Sequence, residues 1–353
     1  MVDSALVTWL HKLEQIHPIE IELGLERVGF VANRLGLLNG GPYTFAIAGT
    51  NGKGSVASVL SAALTASGHR VGVYTSPHLI SFNERVVVDS LPVTDAELVA
   101  AFRDIDHARE HLTLTFFEFA TLAALLIFRQ RRVDVQVLEV GLGGRLDAVN
   151  IIDAHISIIT NIGLDHTEFL GPNRESIAIE KAGIARRNRP CIVADPNPPE
   201  SLGAKLRDLG VLRCELGKDW SLSDNQLITN TGKVFQIPKT EGLMAVNVAT
   251  ALQALAMSDL AVSWEPSLEA ASGLVLPGRL QRFQLNGKHL VLDVAHNRES
   301  VAYLVNSLKN SPVEGRTRAL FGVMGDKPIH DMLLACTEVI DEWYLLDLHC
   351  HPR

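Results

Sequence analysis

The sequence predicts an α/β fold, with a domain built on a parallel β-sheet followed by a smaller α/β domain. Three observations favour this fold. Strand-like runs alternate with helical stretches over residues 45–194, the order that places helices on both faces of a parallel sheet. A glycine-rich turn joins the first of these strands to a helix. A second strand–helix series begins near Lys288.

Two helices are predicted ahead of the sheet, over Ser4–Gln15 and Leu23–Leu38, because apolar residues recur there at helical spacing. Apolar and β-branched runs then predict the strands Phe45–Ala48, Val71–Thr75, Arg85–Val88, Val133–Glu139, Ala154–Thr160 and Pro190–Ala194. The helical patterns between them include Asp95–Arg109, Phe117–Gln130 and Arg174–Ala185. Ligands of such sheets bind at the carboxyl ends of the strands, so functional side chains are expected there.

The sheet is followed by a polar excursion, a helix and a second domain. Asp224–Lys239 predicts a short β excursion and Ala245–Met257 a helix, and Pro277-Gly278-Arg279 ends the first domain. The second domain is predicted to contain strand His289–Val294, helix Glu299–Leu308, strand Arg318–Val323, helix Ile329–Cys336 and strand Glu342–Leu348. This series is small for an independently stable α/β domain. We therefore predict a first domain over 1–284 and an incomplete second domain over 285–353.

The composition favours a cytoplasmic globular protein. Apolar residues make up 47% and charged residues 20% of the 353 residues, which supports a large core and argues against disorder. The 32 Lys and Arg are outnumbered by 40 Asp and Glu, which argues against a nucleic-acid-binding surface. The four cysteines have no paired spacing. No signal peptide or membrane-spanning run is visible, so we expect no membrane partner. We also expect a monomer without a nucleic-acid partner.

The most informative segment is the glycine-rich turn Gly49-Thr50-Asn51-Gly52-Lys53-Gly54-Ser55. It follows the strand-like run Tyr43–Ala48 and opens the helical run Val56–Ala66. Backbone N–H groups of such a turn, together with the helix N-terminus, bind phosphates. Lys53 can reach the terminal phosphates, and Ser55 can offer its hydroxyl to a magnesium ion. The order of strand, turn and helix therefore predicts a P-loop ATPase-type domain.

This turn departs from the usual Walker A sequence in two places. Ile47 stands where the first glycine would be, and Gly54 separates the lysine from the serine. The alternative is a glycine-rich turn that merely exposes a lysine. The strand before the turn and the helix after it favour phosphate binding, because they supply the structural context that this motif requires.

Three further polar side chains follow predicted strands. Ser76 and His166 come shortly after two strands, and Glu139 ends a third. In a parallel sheet all three lie at the edge that carries the glycine-rich turn. Hydroxyl and carboxylate oxygens suit magnesium, whereas histidine is an unusual ligand for it. Each residue has a structural alternative, as a cap, an ion-pair partner or a surface histidine, but their convergence favours a magnesium site.

Seven strings, in a fixed order, give the chain a resemblance to a known family: GTNGKGS, YTSPHLISFNERV, LEVGLGGRLDAVN, LDHTEFLG, EKAGIAR, LPGR and LDVAHN. They are similar to those of the bacterial bifunctional dihydrofolate synthase/folylpolyglutamate synthase family, within the Mur ligase superfamily. The first string indicates only the superfamily. LGLER, SPHLISFNERV and LEVGLGGRLDA are typical of the folate branch. The similarity runs from about Leu23 to at least Asn297.

The resemblance implies a Rossmann-like second domain that continues, in the family, past the point matching Arg353. It also implies that ATP is the nucleotide bound by the glycine-rich turn. Four residues outside the turn match the family's nucleotide contacts, with Arg279 as the interdomain arginine: Asn247, Arg279, Asp293 and His296.

The resemblance implies two magnesium ions. Ser76, Glu139 and His166 would be ligands, and Lys181 would be carried as a carbamate that binds the second ion. Carbon dioxide converts the lysine amine into a carboxylate-like oxygen ligand. The alternative for Lys181 is an exposed helix lysine. Catalytic roles would then fall to Lys53, Lys181, His166 and Arg279.

A pterin site is also implied, formed by Leu23-Gly24-Leu25-Glu26, Thr115-Phe116-Phe117-Glu118 and Leu146-Asp147-Ala148. A flat heterocycle favours stacking on aromatic rings, and Asp147 would accept hydrogen bonds from pterin N–H groups. Phe116 and Phe117 have the alternative of packing in the core.

The activity implied by the resemblance is ATP-dependent ligation of L-glutamate to dihydropteroate and to reduced folates, through an acyl phosphate. Two alternatives remain. A cell-wall amino-acid ligase of the same superfamily would share the phosphate chemistry, but the folate-type strings disfavour it. A non-catalytic nucleotide- or folate-binding protein is kept open by the short second domain.

Overall fold

The computed structural model describes residues 5–238, 240, 242–325 and 327–348. Ser4 and Lys239, which begin and end two predicted segments, lie outside the described residues. The chain divides into two compact units, Met1–Leu274 and Val275–Arg353. This division falls before the predicted boundary between residues 284 and 285, because the strand that crosses that boundary pairs within the second unit.

The first unit alternates helices with strands. Its helices are α1 (Ala5–Gln15), α2 (Glu26–Arg34), α3 (Lys53–Ala66), α4 (Asp95–Arg109), α5 (Phe116–Arg131), α6 (Thr167–Leu170), α7 (Arg174–Ala182), α8 (Glu200–Asp208), α9 (Ala245–Ala256) and α10 (Trp264–Ser272). Its strands are β1 (Tyr43–Ala48), β2 (Val71–Tyr74), β3 (Val86–Val88), β4 (Leu91–Pro92), β5 (Val135–Glu139), β6 (Ile156–Ile159), β7 (Pro190–Val193), β8 (Leu212–Glu215), β9 (Ser221–Ser223), β10 (Gln226–Ile228) and β11 (Val234–Gln236). Among the described residues, no helix has both the length and the apolar composition needed to cross a membrane.

The main sheet has eight strands in the order β4-β3-β2-β5-β1-β6-β7-β8. Six of them run parallel, and β1 lies between β5 and β6. The register aligns Ile47 with both Glu139 and Ile158, so the carboxyl ends of these three strands are level. The prediction of an α/β fold on a parallel sheet is confirmed, and the glycine-rich turn leaves the sheet at its centre.

One edge of the sheet differs from the prediction because β3 runs antiparallel to both of its neighbours, β2 and β4. Only Asp89 and Ser90 join β3 to β4, and both have positive φ angles, 50° and 67°. Such a two-residue connection forms a tight hairpin and can join only antiparallel neighbours. The polar segment near residue 224 also forms β structure, the three-stranded antiparallel sheet β11-β10-β9.

Several helices differ from the sequence-based bounds. The predicted helix Leu23–Leu38 is shorter in the structure, since α2 covers only Glu26–Arg34. Gly36 follows it with a φ of 70°, a left-handed conformation that ends helices. The elements α8, β8 and α10 were not predicted. For α8 the reason is a weak pattern, because Leu202 and Leu206 are its only buried residues.

The second unit is a small α/β assembly. Its elements are β12 (Gln281–Leu285), β13 (Lys288–Leu292), α11 (Arg298–Lys309), β14 (Arg318–Phe321), α12 (Ile329–Cys336) and β15 (Glu342–Leu345). The first two strands form an antiparallel hairpin, which the sequence reading did not include, and the last two pair in parallel. Buried residues of the two helices form its core: Val301, Val305, Met332 and Cys336.

An aromatic cluster stabilises the helical side of the first unit. Phe102 of α4 is fully buried, and its ring centroid lies 5.9 Å from Trp9, 5.7 Å from Phe82 and 6.1 Å from Phe119. The pairs with Phe82 and Phe119 are edge-to-face, a geometry that adds to the free energy gained by burying the rings. This cluster connects α1, α4 and α5 with the loop that follows β2.

We expect Phe102→Ala to lower the free energy of unfolding by about 3–5 kcal/mol, because it leaves a cavity in the cluster. Phe30→Ala is the matched control, since Phe30 on α2 is 52% exposed and should cost less than about 1 kcal/mol. Urea unfolding followed by tryptophan fluorescence measures both. Equal losses for the two variants would contradict the role given to Phe102.

Candidate active site

The glycine-rich turn connects the end of β1 at Ala48 to the start of α3 at Lys53. Two of its glycines leave no room for a side chain. A Cβ atom on Gly49 would lie 1.8 Å from Thr160 Oγ1, and one on Gly52 would lie 2.6 Å from Asn247 Oδ1. Gly52 also has a φ of 85°, which side chains disfavour. The turn therefore lies directly against β6 and α9.

Residues that follow β6 hold the turn in place. The backbone N–H of Thr50 donates to Asn161 O at 2.9 Å, and that of Asn51 donates to Asn161 Oδ1 at 2.7 Å. Thr160 Oγ1 donates to Asn51 O at 2.6 Å. The hydroxyl of Thr50 accepts from the N–H of Gly163 at 2.9 Å. The sequence reading missed Thr160, Asn161 and Gly163, although their position at a strand end was a usable signal.

Lys53 and Ser55 take the positions expected in the first turn of α3. Lys53 Nζ donates to the carbonyls of Gly49 and Thr50 at 3.1 and 3.3 Å, so its side chain lies over the turn. Ser55 is buried. A Cβ atom on Gly54 would lie 3.5 Å from Glu139 Oε2. The start of α3 therefore lies beside the carboxylate at the end of β5.

Ser76 and Glu139 come together at this sheet edge. The backbone N–H of Ser76 donates to Glu139 Oε2 at 3.2 Å, and Glu139 is only 5% exposed. His166 lies at the start of α6 with a φ of 49°, and its Nε2 is 3.9 Å from Asp165 Oδ2. The structure thus joins two of the predicted metal ligands directly and places His166 beside a carboxylate.

Lys181 is buried in α7, with 4% of its surface exposed, so the exposed-lysine alternative does not hold. Burial, together with the positive charge of Lys53, lowers the pKa of its ammonium to about 7, against the opposing charges of Asp165 and Asp147. Burial disfavours the charged form of an amine. Lys181 therefore lies within electrostatic range of the turn, and a substantial fraction of its amine is neutral near pH 7.

The chemistry of these side chains fits a divalent cation only in part. A serine hydroxyl and a glutamate carboxylate are oxygen ligands of the kind magnesium prefers, and Ser76 and Glu139 supply both. An unmodified amine such as that of Lys181 does not suit magnesium. In the part of the chain that the structure describes, no group of three or more His, Cys, Asp or Glu is arranged to hold a metal.

The three segments proposed for the pterin lie together. The N–H of Gly24 donates to Leu146 O at 3.2 Å, which joins the first segment to the third. Arg27 Nη2 donates to Glu118 Oε1 at 3.3 Å, which joins the start of α2 to the second. The bonded residues of the first and third segments, Gly24 and Leu146, lie more than 120 positions apart in the sequence, so the convergence is a result of the fold.

The aromatic residues of the second segment are half-buried. The Phe117 ring packs on Gly141, since a Cβ atom there would lie 2.5 Å from Phe117 Cζ. The ring of Phe116 lies 5.7 Å from that of Phe82 and 5.4 Å from the Arg85 guanidinium. Both rings belong to the rim of the core, so they combine a packing role with partial exposure.

The polar residues of these segments also stabilise local structure. Thr115 and Glu118 form the capping box of α5, in which the N–H of Thr115 donates to Glu118 Oε2 at 2.7 Å. Asp147 accepts from the N–H groups of Leu142 at 2.8 Å and Val149 at 3.0 Å. Burial raises the pKa of Asp147 to about 7, although these N–H groups act in the opposite direction.

The remaining predicted nucleotide contacts belong to two different units. Asn247, at the start of α9, contacts the turn at Gly52. Arg279, Asp293 and His296 lie in the second unit. There Asp293 accepts from the N–H groups of Leu280 at 2.7 Å and Ala295 at 2.8 Å, which ties the loop after β13 to the residues before β12.

Two family models match the chain: "Mur ligase middle domain" over residues 47–198 and "Mur ligase, glutamate ligase domain" over residues 278–353. The first covers the glycine-rich turn, strands β2 to β7 of the main sheet and Lys181. The fold and the site thus define a Mur ligase. The chain is 42% identical to the dihydrofolate synthase/folylpolyglutamate synthase of Escherichia coli, over 98% of this chain and 82% of that protein. The chain belongs to the dihydrofolate synthase/folylpolyglutamate synthase family.

Solved structures agree with this assignment. The FolC of Escherichia coli in complex with DHPP and ADP has a TM-score of 0.93 at 42% identity, covering 97% of this chain and 83% of that one. A bifunctional folylpolyglutamate synthase/dihydrofolate synthase with Mn, AMPPNP and L-glutamate bound has a TM-score of 0.90 at 42% identity, over 97% and 83%. The cell-wall ligase alternative is thereby disfavoured.

We expect Gly52→Ala to weaken ADP binding at least tenfold, because the new methyl group would displace Asn247 and distort the turn. Gly68→Ala is the matched control. Gly68 follows the same helix with a φ of 87°, close to the 85° of Gly52, but no described atom lies within 4 Å of its Cβ position. Both variants should lose about 1–2 kcal/mol of stability for the left-handed backbone. Calorimetry with ADP that finds equal affinities would contradict this account of the turn.

Proposed function

We propose that this protein is an ATP-dependent ligase that joins L-glutamate to dihydropteroate, giving dihydrofolate, and to reduced folates, extending their glutamate chain. The main support is that the three segments proposed for the pterin lie together, with Asp147 of the third segment close enough to Lys53 of the glycine-rich turn for their charges to interact. The relatives carry the name of this activity, and their structures contain ADP or an ATP analogue, DHPP and L-glutamate. A non-catalytic binding protein is disfavoured, because Glu139 is buried beside the start of α3 and the charges of Lys53 and Lys181 interact, so that these groups would be available for catalysis.

The turn would hold the phosphates of ATP through the backbone N–H groups of residues 49–55 and the N-terminus of α3. Lys53 would offset the negative charge that develops on the transferred phosphoryl group. Asn247, Arg279, Asp293 and His296 are proposed as further nucleotide contacts. Arg279 would also orient the phosphates during turnover.

The reaction proposed has two steps. A substrate carboxylate attacks the γ-phosphorus of ATP, which forms an acyl phosphate and releases ADP. The amine of glutamate then attacks the acyl carbon, phosphate leaves, and an amide bond is formed with loss of a proton. The protein would contribute mainly by holding the two substrates and the phosphate in line.

Ser76 and Glu139 are the residues we propose for a first magnesium ion, with His166 as a further ligand of the cation site. When bound, magnesium offsets phosphate charge during phosphoryl transfer. The buried carboxylate of Glu139 accepts from the backbone N–H of Ser76, so these two residues are neighbours at the proposed cation site. The manganese ion in a related structure supports a divalent cation.

Lys181 is proposed to be carbamylated and to supply the oxygen ligand of a second magnesium ion. Its neutral amine would attack carbon dioxide, which forms an N–C bond and releases one proton. The amine is suited to this step because burial lowers its pKa to about 7. The resulting carbamate is an anionic oxygen ligand, which an unmodified lysine cannot provide.

The pterin would bind between Leu23–Glu26, Thr115–Glu118 and Leu146–Ala148. Phe116 and Phe117 are half-buried and would offer apolar surface to the flat ring. Asp147 is proposed to accept hydrogen bonds from pterin N–H groups. Because its carboxylate already accepts from Leu142 and Val149, it would be oriented before the substrate arrives.

Phosphate release in the presence of ATP, magnesium, L-glutamate and dihydropteroate tests the proposed activity, with the product identified as dihydrofolate by mass spectrometry. Turnover should require all three substrates, and Lys53→Ala should reduce it at least 100-fold because the charge on the phosphoryl group is no longer offset. Folate monoglutamate in place of dihydropteroate tests the chain-extending reaction. Dihydropteroate and ATP binding without any amide product would support the non-catalytic alternative instead.

We expect Lys181→Ala to be inactive and to regain part of its activity with added acetate or propionate, because a small carboxylate can replace the lost oxygen ligand. Lys53→Ala is the control. It loses a positively charged group, which an added carboxylate cannot replace, so its activity should not be restored. Wild-type protein in 13C-labelled bicarbonate should show a carbamate resonance that Lys181→Ala lacks. A wild-type spectrum without this resonance, together with failed rescue, would argue decisively against the carbamate.

A further inference from the structure

A charged network around Arg27, which is not among the proposed contacts, links the segment before α2 to the start of α5. Arg27 Nη1 donates to the carboxylate of Glu22, and its Nη2 donates to Glu22 O at 3.0 Å and to Glu118 Oε1 at 3.3 Å. His17 Nε2 lies 2.7 Å from Glu22 Oε2. The Glu118 side chain is 4% exposed and that of Arg27 is 21% exposed. The guanidinium therefore neutralises a carboxylate that is almost completely buried.

The network fixes the ends of the segment Leu23–Glu26. Glu22 and Arg27 flank this segment, and the guanidinium binds both the backbone and the side chain of Glu22. Between them, the N–H of Gly24 donates to Leu146 O. The loop before α2 is thus closed on itself and attached to the third pterin segment.

The same guanidinium also fixes the second pterin segment. Glu118 accepts from the N–H and the hydroxyl of Thr115, at 2.7 and 3.0 Å, through Oε2, while Arg27 contacts its Oε1 most closely. One arginine therefore connects two segments that lie about 90 residues apart in the sequence. Its planar, forked set of donors makes this possible, and the single ammonium of a lysine would not reproduce it.

We propose that Arg27 is a positioning residue for the pterin-bearing substrate, which sets the spacing between the Leu23–Glu26 and Thr115–Glu118 segments through Glu22 and Glu118. This inference rests on the proposed function, because it needs the pterin to bind between those segments. Arg27 lies outside the glycine-rich turn and the proposed metal ligands. Its loss should therefore affect the pterin substrate and leave the nucleotide largely unaffected.

Arg27→Met keeps an apolar chain about as long as the stem of arginine and removes the guanidinium. We expect this variant to raise the Kd and KM for dihydropteroate at least tenfold, with the Kd for ADP within twofold of wild type. Arg27→Lys should recover only part of the loss, because it restores the charge without the fork. Glu118→Gln should also weaken dihydropteroate binding. Its amide oxygen can still cap α5, but a neutral amide does not form an ion pair with the guanidinium.

Arg34→Met is the matched control, because Arg34 lies on the same helix and pairs with Glu110 at the protein surface. It should change neither affinity by more than twofold. In the double variant Arg27→Met/Glu118→Gln, the loss of dihydropteroate affinity should not exceed that of the more severe single variant. Both substitutions remove the same interaction, between Arg27 and Glu118. Thermal unfolding of every variant shows whether the fold is retained. If Arg27→Met does not fold, Arg27→Lys and Glu118→Gln carry the same comparison.

The outcomes separate this inference from the proposed function. Wild-type protein that binds ADP but not dihydropteroate would overturn both. Wild type that binds both ligands, with an Arg27→Met variant of unchanged dihydropteroate affinity, would overturn only the role of Arg27. Equal weakening of ADP binding and dihydropteroate binding in Arg27→Met would also overturn the role of Arg27, because that result indicates a general structural role. A selective loss for dihydropteroate, partly restored in Arg27→Lys, supports the inference.

Discussion

The close approach of the glycine-rich turn to β6 and α9 is the constraint on which the site depends. Gly49 and Gly52 lie where any Cβ atom would collide with Thr160 or Asn247. Asn161 then binds two backbone N–H groups of the turn. Because this turn begins at the central strand of the sheet, its position also fixes where α3 begins and which strand ends surround it. The geometry of the turn is therefore a property of all the strand ends that surround it.

Burial controls the chemistry of the charged residues around this turn. Lys181 and Asp147 carry opposite charges in water, yet burial moves the pKa of each to about 7. Each shift disfavours the charged form, and nearby groups with the opposite charge resist it. The turn is thus bordered by an amine that is easily deprotonated and by a carboxyl group held by backbone N–H groups. Such perturbed groups cluster at functional sites because reactivity requires them there.

Much of the fold and part of the site could be predicted from sequence. The alternation of strands and helices and the glycine-rich turn were sufficient for the parallel sheet, because both are local patterns. The hairpin of β12 and β13 and the antiparallel edge were missed, since pairing direction depends on short connections. Thr160 and Asn161 were missed because their partners lie about 110 residues away. The roles assigned to Asn247, Arg279 and the pterin segments came from family resemblance and stay predictions.

By itself the sequence determined the strand–turn–helix unit, the residues at the strand ends and the family, because these depend on local residue spacing and on characteristic sequence strings. Tertiary structure decided which distant residues meet. Arg27 pairs with Glu118 across 91 positions, and Gly24 bonds to Leu146 across a longer interval. It also decided that Lys181 is buried, where an isolated helix pattern allowed an exposed lysine. Burial and long-range pairing depend on how the helices pack against the sheet, and no local pattern encodes that packing.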